Sequence, residues 1–275
     1  MIEIPEAVTL ARQLGDALGG KRVRSATAAT APHAFAWYHG DPAAYGARLA
    51  GRAFGAVRSH GGFVEIDVDD ARLLFAEGVV LRALGSGDAR PKKHQLLVEF
   101  EDGSALAASV QMYGGLWAIA ASGFENPYYD AARSMPSPLS EAFDRAYFDR
   151  LIGEPAVRGL SAKALLATEQ RIPGFGNGVL QDVLFEAGVH PRRRVASLAD
   201  AELERLFGSI KATVAAMTRG GGRDTERDLF GCEGGYPTRA SRRTLGRPCS
   251  RCGAPIARQA YLGGAVYTCP GCQPL

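Results

Sequence analysis

The 275 residues predict an α+β chain of two unlike lobes: an N-terminal helix with a β-sandwich lobe, then a helical lobe that closes in a zinc ribbon. Three observations carry this. Between Lys21 and about Ala120 the apolar residues alternate or form short runs bounded by turn residues, which is strand patterning. After about residue 140 the period changes to that of helices, and the last 27 residues hold two Cys-x2-Cys pairs.

Taken in order, residues 5–19 read as a helix. Pro5 suits the first turn, Glu6 suits the helix dipole, and Val8, Ala11 and Leu14 recur at helical spacing before Gly19-Gly20. Residues 63–68 (Phe-Val-Glu-Ile-Asp-Val) alternate as a half-buried strand. Arg72–Phe75 and Val79–Leu81 are apolar runs, and Gln95–Phe100 leads into the turn Glu101-Asp102-Gly103. This lobe reads as a sandwich or flattened barrel. The segment Ser122–Ser140, rich in Pro, Asn, Tyr and Ser, reads as the connection. Beyond it Phe143, Tyr147 and Leu151 start a helical pattern, and Leu203, Leu206, Phe207, Ile210, Val214 and Met217 form an apolar stripe expected to be core. The boundaries that follow are 1–125 for the sandwich, 126–139 for the linker, 140–235 for the helical domain and 236–275 for the ribbon.

Composition narrows the classes. The chain is 46% hydrophobic and 22% charged, close to globular averages, and lacks the ~20-residue apolar run of a membrane span. The start Met1-Ile2-Glu3-Ile4-Pro5-Glu6 is not a signal peptide, so a cytoplasmic protein without a membrane partner is expected. The net charge of +3 hides an asymmetry: residues 1–150 carry −3 and residues 151–275 carry +6. A basic second half favours a polyanionic partner, with nucleic acid foremost.

Two motifs carry chemistry. Cys249-x2-Cys252-x16-Cys269-x2-Cys272 has the spacing of a four-thiolate site for one structural Zn2+. In Gly174-Phe175-Gly176-Asn177-Gly178, glycines open the backbone between two helical segments, 160–170 and 179–188. Asn177 suits an N-cap, and the amides of a helix start suit a phosphate.

Together, Glu3 and Glu6 before a helix, the helix–Gly-x-Gly-Asn–helix segment and the terminal four-cysteine ribbon resemble the formamidopyrimidine-DNA glycosylase/endonuclease VIII (Fpg/Nei) family. The resemblance is strongest over Lys163–Pro191 and Cys249–Cys272. It implies a helix-two-turn-helix domain between sandwich and ribbon, and a monomer that excises a flipped base from double-stranded DNA carrying a damaged base or an abasic site. In that family the initiator Met is lost and a proline amine attacks C1′. Glu3 would then serve as proton donor and acceptor, Glu6 would match the second glutamate, and Lys163, Asn177 and Gly176 would hold a phosphate. Tyr113 would be the wedge that fills the vacated stack, and Cys232–Tyr236 a lesion-capping loop whose glycines suit mobility.

The match breaks at the nucleophile, where Ile2 stands in the proline position, so the amine would come from Met1 or from a processed Ile2. The lysine of the β-lobe falls on Gly61-Gly62, and the finger arginine falls on Gly264. Three readings follow: a glycosylase with lyase activity through an N-terminal amine, a monofunctional glycosylase in which Glu3 activates water, or a lesion-binding protein that kept the scaffold. His33, His39, His60 and His94 are further acid–base candidates, and Arg223–Asp228 reads as a salt-bridged turn.

Overall fold

The first fifteen helical residues set the frame of the N-terminal unit. In the computed structural model, which describes residues 1–121 and 123–275, helix α1 spans Ile4–Leu18 and buries Ala7, Leu10, Ala11 and Leu14. Pro5 lies in its first turn, and Glu3 occupies its N-cap position with extended backbone. Strands β1 (Val23–Ala28) and β2 (Ala36–Trp37), helix α2 (Tyr45–Leu49) and strands β3 (Phe54–His60), β4 (Phe63–Val68), β5 (Ala71–Leu84), β6 (Leu96–Phe100) and β7 (Ala105–Ala120) follow.

All seven strands hydrogen-bond into one sheet in the order β1-β6-β7-β5-β4-β3, with β2 added in parallel to β7. The two long strands make this sheet a sandwich. The first half of β5, residues 71–76, pairs with β4 and with residues 115–120 of β7; its second half, 79–84, pairs with residues 105–110 of β7, which also carry β6. Both halves put side chains into one core, where Val64, Ile66 and Phe75 join Val98, Phe100, Leu106 and residues of α1. The Phe54 and Phe100 rings meet edge to face at 4.9 Å. The fold line is a β-bulge at Glu77–Val79, and such a bulge bends a strand while keeping its partner. The two apolar runs at 72–75 and 79–81 are therefore one strand.

After β7, Ser122 lies outside the described residues. The connecting segment contains a helix, α3 (Pro127–Ser134), started by Asn126, whose Oδ1 accepts the N–H groups of Tyr128 and Tyr129 at 3.0 Å. Tyr129 is buried against Phe63 and Phe124. The compact unit formed by Met1–Arg133 also includes Glu226–Glu233, from far along the chain. Leu229 enters the sandwich core, its N–H donates to Gln13 Oε1 at 3.1 Å, and its carbonyl accepts from Ala83 at 3.0 Å.

The second unit is Ser134–Thr225 with Gly234–Leu275. It holds helices α4 (Arg145–Gly153), α5 (Pro155–Arg158), α6 (Ala162–Ala167), α7 (Asn177–Ala187) and α8 (Asp200–Arg219), and hairpin β8 (Ala257–Tyr261) to β9 (Gly264–Thr268). Helix α8 buries Leu206, Ile210, Val214 and Met217 of the expected stripe, while Leu203 and Phe207 are half-buried. Phe207 meets Phe148 of α4 at 5.6 Å. Among the described residues no helix is long and apolar enough to cross a membrane.

Candidate functional site

On the first unit, the chain start is fixed from both sides. Ile2 is buried and its N–H donates to the Glu77 carbonyl at 2.6 Å, an antiparallel bridge that ties the N-terminus to the bulge of β5. The Met1 amine is ion-paired with Glu226, brought there by the returning segment. Glu3 and Glu6 are both buried, with 3% and 6% exposure. A third carboxylate, Glu77, lies close enough to Glu3 to feel its charge. Burial first, then the neighbouring Glu3 charge, raise its pKa, with the N-terminal amine opposing.

Tyr113 sits on β7 where that strand passes the bulge. Burial, then Glu77 and Glu3, push its hydroxyl above the ordinary phenol range. Its ring lies 5.7 Å from that of Trp37 at 33°, and Trp37, Phe35 and Met112 are all exposed nearby in the chain. The sequence singled out Tyr113 alone; β2, which pairs Trp37 with Gly115, supplies a second aromatic face.

On the second unit, Lys163, Gly176 and Asn177 come together at the starts of two helices. Ser161 caps α6 by accepting the Ala164 N–H, and Gly176 is the N-cap residue of α7. Asn177 is therefore the first helical residue rather than the cap. Its Nδ2 donates to the Ala265 carbonyl of the β8–β9 hairpin at 2.8 Å, an acceptor-only partner that orients the amide. Asn177 Oδ1 is left buried without a hydrogen-bond partner. Lys163 is buried and donates from Nζ to the Tyr261 carbonyl at 2.6 Å; burial lowers its pKa. A Cβ on Gly264 would stand 3.5 Å from Lys163 Nζ and 3.6 Å from Asn177 Oδ1, so this glycine faces both. Arg192 stacks over the Tyr261 ring at 4.4 Å.

The four ribbon cysteines converge. Their sulfurs all lie within 4.8 Å of one another, with Cys249–Cys272 at 3.8 Å and Cys252–Cys269 at 3.3 Å. Sulfurs at ~2.3 Å from a tetrahedral Zn2+ stand ~3.8 Å apart, so this donor set fits the ion. Cys249 and Cys269 are buried with Phe185 and Ile256, and Gln273 donates to the Val189 carbonyl at 2.9 Å, seating the ribbon on α7. Asp182 on the same helix accepts the N–H groups of Arg239 and Ala240 at 2.8 Å; burial raises its pKa to about 6, against the pull of those bonds.

Other expectations resolve differently. His60 bonds Glu65, His39 meets Phe124 edge to face, His33 Nδ1 accepts the Phe35 N–H, and His94 Nδ1 bonds the Pro91 carbonyl; none is placed beside Glu3 by these contacts. In the run 223–228, as expected of a salt-bridged segment, Arg227 pairs with Glu233, Glu226 with the Met1 amine and Asp224 with Arg243 at 4.0 Å, and Arg223 is buried. The glycines after Cys232 serve close approach instead of mobility: a Cβ on Gly234 would meet the Gly222 backbone at 2.3 Å.

A sheet folded at a bulge behind an N-terminal helix, and a helix–turn–helix unit ending in a four-thiolate ribbon, place the protein in the class of two-unit DNA glycosylase folds. No family model matches the chain. It is, however, 32% identical over 282 residues to the formamidopyrimidine-DNA glycosylase of Symbiobacterium thermophilum, covering 100% of this chain and 90% of that one. It is likewise 32% identical over 289 residues to that of Geobacillus kaustophilus, covering 99% and 100%. Among solved structures it is similar to the MutM (Fpg) protein of Thermus thermophilus, with TM-score 0.80, 26% identity and 98% of each chain covered. It shares its fold with Lactococcus lactis Fpg, solved in complex with an abasic-site DNA (TM-score 0.82, 23% identity, 99% and 100% covered). The chain belongs to the formamidopyrimidine-DNA glycosylase family.

Proposed function

We propose that this protein is a base-excision repair glycosylase that binds duplex DNA carrying a damaged base or an abasic site and releases the flipped base by water attack at C1′. The observation that carries this reading is the state of the chain start. The Ile2 N–H is committed to the Glu77 carbonyl and the Met1 amine to Glu226, while Glu3 is a buried carboxylate next in the chain. Glu3 takes a proton from water as the C1′–O bond forms and the C1′–N bond breaks; the base leaves as its anion and takes a proton from solvent, and an abasic sugar remains. Glu6 supports the first turn of α1 behind it.

Lys163, Asn177 and the Gly176 turn hold a backbone phosphate. The buried Nζ supplies the charge, and the opening in front of Gly264 supplies the room. Tyr113, with Trp37, fills the stack that the flipped nucleotide leaves. Cys249, Cys252, Cys269 and Cys272 would hold one Zn2+, whose part is structural: it closes the small core around Phe185 and Ile256. The helix-two-turn-helix module is taken as 140–235, apart from Glu226–Glu233, which pack with the first unit, and the finger as 236–275; the protein works as a cytoplasmic monomer.

Base release from oxidised-base duplexes, abolished by Glu3→Gln and without a borohydride-trapped adduct, is the expected result. A trapped adduct, with intact mass identifying the terminal residue, would assign the chemistry to an N-terminal amine with lyase activity. Binding without base release over a broad lesion set would sink the enzymatic reading.

A further inference from the structure

Arg192 lies where the start of α6 meets the β8–β9 hairpin in the second unit. The carbonyls flanking it latch that helix start: Pro191 accepts the Lys163 N–H at 3.0 Å, and Arg193 accepts the Ala162 N–H at 2.8 Å. The Arg192 N–H itself donates to His190 Nδ1 at 3.2 Å, so the backbone here is fixed on both sides of the residue and at it. The side chain is exposed and nevertheless held. Its guanidinium lies over the Tyr261 ring at 4.4 Å, and Nη2 donates to the Ala260 carbonyl at 3.2 Å. The next residue, Arg193, is spent on Glu202 through bonds at 2.8 and 3.0 Å. Among the described residues no carboxylate pairs with Arg192 or with Lys163, whose contacts are to hairpin carbonyls.

The hairpin register puts this guanidinium beside the notch at Gly264. Tyr261 and Gly264 are directly paired across β8 and β9, and paired residues project to the same face. On that face Gly264 has no side chain, and the space it leaves is bordered by Lys163 Nζ and Asn177 Oδ1. Lys163 takes the carbonyl of Tyr261 and Arg192 takes its ring, so two cations stand on one residue, separated by the length of its side chain. That separation suits two successive phosphates of a strand better than a single one. The Asn177 bond to the Ala265 carbonyl seats the other strand, so both cations rest on a fixed support.

We propose that Arg192 binds the backbone phosphate next to the one held at Lys163, so that this face of the hairpin meets two successive phosphates with two cations. This rests on the reading of Lys163 and Asn177 as a phosphate site. A planar guanidinium grips two oxygens of a phosphate at once, which a single ammonium does not. Stacking on Tyr261 has already removed much of the side-chain freedom that binding would otherwise cost.

The test is the salt dependence of binding to an abasic-site duplex by the full-length protein, in the wild type, Arg192→Gln, Arg192→Lys, Arg194→Ala and Lys163→Gln. Arg192→Gln keeps a donor for the Ala260 carbonyl and removes the charge, so the slope of log affinity against log salt should become shallower by about 0.9. Arg192→Lys keeps the charge and gives up the stack; it should hold the wild-type slope with weaker binding. Arg194→Ala removes another exposed charge two residues on and should leave the slope unchanged. If Arg192 only held the hairpin, the Gln and Lys variants would weaken binding alike with no change of slope, and that result would overturn the proposal. An equal loss of slope in Arg194→Ala, the mark of a diffuse basic surface, would overturn it too. An unchanged slope in Arg192→Gln beside a shallower one in Lys163→Gln refutes the Arg192 contact and leaves the phosphate site standing; unchanged slopes in both refute the site and the proposal together.

Discussion

Replacing Glu65 with Gln keeps the side-chain shape and removes a charge that the sandwich has been built around. Glu65 is 4% exposed; His60 Nε2 lies at 3.2 Å, Arg58 and Arg72 lie at 3.5 and 3.6 Å, and the Tyr129 hydroxyl of α3 donates to it. Its carboxyl falls from 4.5 to about 2, chiefly through the His60 hydrogen bond, with burial opposing and Tyr129 adding. Because the folded value is depressed, the stabilisation is complete above the usual carboxylate range and is lost as pH falls toward 2. At about 1.4 kcal/mol per pH unit, the drop corresponds to about 3 kcal/mol at neutrality, of which about 2 kcal/mol is gone by pH 3. Urea unfolding followed by tryptophan fluorescence reads this unit directly, since both tryptophans, Trp37 and Trp117, belong to it. Trp117 stacks on Phe63, which in turn touches Tyr129. The stability gap between wild type and Glu65→Gln should shrink by about 2 kcal/mol from pH 6 to pH 3. A gap unchanged over that interval would refute the assignment of the cluster as a charge-dependent anchor.

Three further outcomes are expected. Gly264→Arg adds a guanidinium in front of Lys163 and Asn177, so the slope of log affinity against log salt should steepen by about 0.9; a filter-binding series with an unchanged slope would show that no phosphate reaches this notch. Cys249→Ser should lower bound zinc from one equivalent and expose Ile256 and Phe185, read by metal analysis and by proteolysis within residues 236–275; full metal content would exclude the four-thiolate site. Trp37→Ala and Tyr113→Ala should each weaken binding to abasic-site duplex by about tenfold, as expected for the loss of ~1.4 kcal/mol of base stacking. Equal binding by both variants in a titration would remove the aromatic pair from the DNA surface.

The parts of this molecule set by local chemistry were legible in its sequence. Pro5 and Glu6 start α1, alternation at 63–68 is β4, and two Cys-x2-Cys pairs converge on one sulfur cluster. Features made by contact between distant residues were not. The runs at 72–75 and 79–81 read as two because a charged residue followed by glycine interrupts the apolar pattern whether the strand bulges or ends. Helix α3 hid in a polar segment, although Asn126-Pro127 is a cap followed by a first-turn proline, a signal that could have found it. Asn177 suited a cap by residue type, but the preceding glycine took that role and released the amide for the hairpin. Nothing local marks Glu77 as the residue whose carbonyl holds the chain start, since a lone acid in a strand normally faces water.

The return of Glu226–Glu233 to the first unit sets an order of assembly. During synthesis, residues 1–133 leave the ribosome with the place of Leu229 in their core unfilled, Gln13 lacking the groups it will bind at Asp228 and Leu229, and the Met1 amine without Glu226. All three are supplied together when more than four-fifths of the 275 residues exist. A chain that stops before Glu226 thus carries a sandwich core without Leu229 and a chain start held by the Ile2–Glu77 bridge without the Glu226 ion pair. The same short segment acts as a late clasp on the first unit, whose core is filled only after residues 134–225 have been made.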